Sequence, residues 1–115
     1  MSGYTTKEVY DLVEITVFTD IKKLRIRSTE PHVFIQLMER ITLSFPEVKV
    51  RNEDFENLPS GQTYCWTFSH NEIVPLAWFT LQACTLLGWE PLNQTYLENL
   101  EIYRYKAKGT INKPS

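Results

Sequence analysis

The sequence is short of the residues that carry catalysis. Its 115 residues include two histidines, His32 and His70, and two cysteines, Cys65 and Cys84. No Gly-rich phosphate loop, no H-E-x-x-H and no G-x-S-x-G is present. The cysteines stand apart and outside any C-x-x-C pair, so they spell out neither a disulfide framework nor a zinc site with paired ligands. Cys84 lies in an apolar stretch, where burial raises a thiol's pKa and suppresses thiolate chemistry. Cys65 precedes His70 by five residues, but closeness in sequence does not make a catalytic dyad. The expectation is a chain that is not an enzyme and that holds no metal and no cofactor.

Other absences bound the setting. The first residues, MSGYTTKEVYDL, lack the basic-then-apolar order of a secretory leader. No stretch reaches the ~20 apolar residues of a membrane span. The most apolar one is punctuated by Pro75 and Gly88. Charge of neither sign dominates: 12 Lys and Arg against 14 Asp and Glu leave a formal net charge of -2. Nothing in that balance draws the whole chain to nucleic acid or to an anionic membrane. These absences predict a cytoplasmic or nuclear protein in a reducing compartment, with both thiols as small buried side chains. The triplet Asn93-Gln94-Thr95 is then a chance match to a glycosylation site.

What is present suits one hydrophobic core. With 43% hydrophobic and 13% aromatic residues, the length supports a single domain over residues 1–115, ordered from about 8 to 107, with 108–115 a polar, flexible tail. Val13, Ile15 and Val17 alternate with Glu14, Thr16 and Phe18. After Thr19-Asp20, Leu24 and Ile26 alternate with Lys23, Arg25 and Arg27. Period two on both sides of a short break predicts a β-hairpin. Ser28-Thr29-Glu30-Pro31 is a helix start, and Phe34, Leu37, Met38, Ile41 and Phe45 recur at helical spacing up to Pro46. Val48 and Val50 give a short third strand, residues 52–61 a polar loop rich in Glu53, Asp54 and Glu56, and residues 63–68 a fourth strand. A second helix and a last strand over 96–106 follow.

The predicted fold class is therefore α+β, a compact β-β-α-β-β-α-β domain with its helices on one face of a mixed sheet. Two architectures accept that order: a ubiquitin-like roll, or a ferredoxin-like sandwich beginning near Lys22 with an added strand in front. Neither confers a function.

Functional signals are confined to surfaces. The second helix, within residues 71–92 (NEIVPLAWFTLQACTLLGWEPL), carries only Thr80, Gln82 and Thr85 as polar side chains from 76 to 87. Steps of ~100° put Trp78, Gln82, Thr85 and Trp89 along one stripe, opposite Leu76, Phe79, Ala83, Leu86 and Leu87. Tryptophan is enriched in interface cores, so this stripe is the first candidate for binding a protein partner or a second copy. Lys23, Arg25 and Arg27 project from one side of a strand expected at the sheet edge, a second candidate for a partner. The function this supports is a non-catalytic protein-interaction module, an adaptor or small complex subunit. The rival is a single-stranded RNA-binding domain, which would use Tyr64, Trp66 and Phe68 with Tyr103 and Tyr105 on an open sheet face. That reading fails if Tyr64, Trp66 and Phe68 face the helices.

Overall fold

Alternation settles the centre of the sheet. The chain is described by a computed structural model over residues 4–28, 31–58 and 61–114, with side chains for 12–28, 35–51 and 64–107. Strands β1 (Tyr4–Phe18) and β2 (Lys23–Ser28) pair antiparallel, placing Val13, Ile15 and Val17 opposite Ser28, Ile26 and Leu24. The turn between them closes through Lys22 at φ 55. Across β2, Leu24 and Ile26 face Phe68 and Trp66 of β4 (Gly61–Ser69); across β1, Val13 and Ile15 face Tyr105 and Tyr103 of β6 (Leu100–Pro114). Side chains directly opposite share a face. The six residues Val13, Ile15, Val17, Leu24, Ile26 and Phe68 are at most 2% exposed, so this face is the core.

Two helices cover it. Helix α1 (Pro31–Ser44) buries Leu37 and Ile41, and α2 (Ile73–Leu86) buries Ile73, Leu76, Thr80, Ala83 and Cys84. Pro31 and Pro75 both fall in first turns, where the missing N–H has no partner to lose. Phe45, just past α1, ties the layer together: its ring stands edge-on to Phe79 and to His70, each at 5.4 Å between centroids. Among the described residues no helix is long and apolar enough to cross a membrane.

The remaining strands are β3 (Lys49–Leu58) and β5 (Glu90–Leu97), and the sheet runs β3-β4-β2-β1-β6-β5. The compact α+β domain holds, but three details differ from the sequence reading. All strand pairs are antiparallel, so the sheet is not mixed. An extra strand, β5, precedes the last one and pairs with it from Glu90↔Lys106 to Leu97↔Leu100. It escaped notice because Pro91 and a register shift between Pro91 and Asn93 break its alternation, and nearly all of its residues are exposed. Finally, residues expected in a loop and at loose ends belong to ribbons. β3 and β4 pair out to Leu58↔Gly61, and β1 and β6 pair from Phe18↔Leu100 to Tyr4↔Pro114.

Candidate functional site

The stripe on α2 follows from how the helix is buried. With Ile73, Leu76, Thr80, Ala83 and Cys84 facing inward, helical geometry turns Val74, Trp78, Gln82 and Thr85 outward. Trp78 is 65% exposed, and Gln82 and Thr85 are exposed beside it. Thr85 Oγ1 donates to the Leu81 carbonyl at 3.2 Å, so its hydroxyl is already engaged within the helix. Thr80 does the same beneath the surface, donating to the Leu76 carbonyl at 2.8 Å. The polar side chains of the outward stripe are therefore Gln82 and Thr85, the latter with its hydroxyl engaged within the helix.

Trp89 does not belong to it. The helix ends in a Schellman turn: the Trp89 N–H donates to the Cys84 carbonyl at 3.1 Å and the Gly88 N–H to the Thr85 carbonyl at 3.0 Å, with Gly88 at φ 78. That reversal carries Trp89 past the helix and into the core, where it is 5% exposed. The helical wheel placed it on the stripe only because the wheel was extended beyond the glycine.

In place of Trp89 the surface gains Leu86, which the helical spacing set on the side opposite the stripe, and Leu43, which it assigned to no face. Leu86 and Leu43 are 75% and 82% exposed, and both line a groove of ≈ 260 Å³ between the helices, with Arg40, Ser44, Phe79, Gln82 and Ala83. A signal existed for Leu43. Like Ile35, it is an apolar residue of α1 that lies outside the Leu37/Met38/Ile41/Phe45 stripe.

The basic strand is not where it was expected. β2 lies inside the sheet, between β4 and β1, so its backbone is fully paired and cannot capture another strand at an edge. Lys23, Arg25 and Arg27 do share one face, the one turned away from the helices. There Arg25 lies over the Phe18 ring at 5.2 Å, and Glu14 is bracketed by Arg27 at 3.8 Å and Arg104 at 3.2 Å. The aromatic triplet is on the opposite side. Tyr64, Trp66 and Phe68 sit across from Ser28, Ile26 and Leu24, on the helix-covered face, with Tyr103 and Tyr105. The five aromatics that the RNA reading required are therefore not on the open face.

Reactive groups are muted. Cys65 and Cys84 are buried and not joined in a disulfide, and burial pushes the Cys84 thiol up to about 12. Burial likewise raises Tyr105 to about 12; Tyr103 is raised further, by burial and by its hydroxyl's bond to Glu101 at 2.5 Å. Cys65 lies within β4 and His70 just beyond its end, some ~16 Å apart at strand rise, which separates the pair considered as a dyad. His70 Nδ1 instead accepts the Glu72 N–H at 3.0 Å, ahead of α2. It lines a ≈ 700 Å³ cleft where Lys22 and Lys49 are mixed with Glu47 and Glu72. Among the described residues no group of three or more His, Cys, Asp or Glu is placed to hold a metal ion. The side chains of His32, Phe34, Glu53, Asp54 and Glu56 lie outside the described residues.

No protein-family model matches the chain, and no curated protein or solved structure matches it significantly. The site has to be read from its own geometry.

Proposed function

We propose that this chain is a non-catalytic protein-interaction module, an adaptor or small complex subunit, that docks a protein partner or a second copy of itself through the outer surface of its helix layer. The observation that carries the reading is Trp78, 65% exposed on an apolar stripe beside the Leu43/Leu86 groove. A tryptophan this exposed gains by being covered, and truncating such an anchor at an interface centre typically costs about 2 kcal/mol or more, roughly 30-fold in affinity. We read the framework beneath it as a ferredoxin-like core. β4 lies between β2 and β3, as the third strand of that sandwich lies between its first two, and β1 fills the place of its last strand. The module acts in the cytoplasm or nucleus, a compartment that suits two cysteines not joined in a disulfide.

The test places a photo-crosslinking residue at position 82 and asks what it captures. A covalent adduct with a second copy or with one recurrent protein is expected, lost on Trp78→Ala while the circular dichroism spectrum stays unchanged. Equal yields from position 82 and from a control crosslinker at Glu47, or adducts that survive Trp78→Ala, would show that the helix layer is not the interface.

A further inference from the structure

The sheet face turned away from the helices has the reverse chemistry of the helix layer. Strand register sets its side chains in rows: Lys49, Lys23 and Phe18; Arg51, Arg25 and Thr16; Arg27, Glu14 and Arg104; then Lys106 with Glu90. Seven of the chain's 12 Lys and Arg thus share one face. Against them stand Glu14, Glu90 and the register position of Glu53. A chain of net charge -2 has concentrated its positive charge on a single open surface.

We propose that this face is a track for the phosphate backbone of a single-stranded nucleic acid. The cations of β2 repeat at about 6.6 Å, two strand residues, and Lys49 and Arg51 of β3 extend the rows sideways. Arginine presents a planar fork that fits phosphate oxygens. Arg25 has a buried Nε without a partner and its guanidinium lies 5.2 Å from the centre of the Phe18 ring, a combined surface on which a base can stack. The middle of the face, Thr16, Thr67 and Cys65, is small and holds no aromatic anchor. Protein interfaces deplete charge at their centre, whereas nucleic-acid interfaces are polar and strongly positive. Leu12, paired with Lys106, and Leu97, paired with Leu100, are exposed apolar residues at opposite ends of the face, too far apart to form one apolar patch that could enter a lipid surface.

Binding of a fluorescein-labelled 20-nucleotide oligo-U to the full chain, followed by anisotropy between 50 and 200 mM salt, tests this. If Lys23, Arg25, Lys49 and Arg51 each meet a phosphate, affinity falls about 50-fold over that range, a log–log slope of about -2.8. The double variant Lys23→Gln, Arg51→Gln should halve the slope, leaving about a 7-fold fall. Lys23→Arg with Arg51→Lys should restore it, and Lys22→Gln, on the turn, should not change it. Absence of binding at 50 mM salt, an unaltered slope in the double Gln variant with its fold intact, or tighter binding to duplex RNA or to phosphatidylserine vesicles would each overturn the assignment. None of these outcomes bears on crosslinking at position 82, so the two surfaces are tested separately.

Discussion

Replacing Gly88 by alanine isolates a backbone effect from packing. The glycine sits at φ 78, and a methyl group built there would meet nothing within 4 Å. No clash opposes the substitution, so its cost is conformational. Holding an L-residue in the left-handed region costs about 1–2 kcal/mol. A less flexible unfolded chain returns about 0.4–1 kcal/mol. The net loss is about 1 kcal/mol, which for a chain of 115 residues, at ~2.1 cal/mol/K per residue, lowers Tm by about 4 °C. Asparagine tolerates this conformation and should lose roughly half as much. Urea titrations followed by circular dichroism and tryptophan emission read both variants, with the midpoint moving at constant slope. The Schellman account is refuted if Gly88→Ala is as stable as the parent, or if Ala and Asn cost the same.

Other outcomes follow from burial. Phe68→Ala, at a position with no exposure, should cost about 3–5 kcal/mol, whereas Val50→Ala directly across from it, 41% exposed, should cost well under half of that by the same titration. Acrylamide should quench a single-Trp78 variant far more than a single-Trp89 variant, given exposures of 65% and 5%; equal quenching would place both on the same side. In alkali, Cys84 and Tyr105 hold their protons up to about 12 in the folded state, against 9.0 and 10.0 when unfolded. The native state then binds more protons, so their contribution is whole below pH 9 and is lost as pH rises from 9 towards 12. Urea midpoints measured from pH 8 to 11 should fall less steeply in Cys84→Ala than in the parent; parallel slopes would refute it.

Much of the interior was legible because it repeats. Val13, Ile15 and Val17 against Leu24 and Ile26 show period two, and Leu37 and Ile41 show helical spacing. Both patterns are direct traces of a side chain alternately meeting core and water. What escaped was non-periodic or non-local. β5 has no buried face to write a pattern with. The charges on β2 looked like a partner site on an edge strand, and only pairing with β4, some forty residues later, puts that strand inside the sheet. Trp89 was misplaced by a single glycine, whose effect is to end the period that the wheel assumes. Trp78 was legible, since its angle depends only on residues within two turns. The orientation of the Tyr64/Trp66/Phe68 row was not, because alternation distinguishes two faces without saying which one the helices choose.

The pairing of β1 with β6 sets a schedule for synthesis. β1 ends at Phe18 and its partner begins at Leu100, so 82 residues must be added before the sheet can close on that side. At ~5–20 residues per second this is about 4–16 s. During that interval β2 is the only neighbour of β1 that has been made, so one flank of β1 has no partner for its amides and carbonyls. A ribosome-bound chain thus leaves the apolar residues Val13, Ile15 and Val17 without their final partners for seconds, long enough for a chaperone or a neighbouring nascent chain to reach them. Slowing translation in the segment encoding α2 should therefore raise aggregation, while the finished protein remains insensitive to the same hairpin.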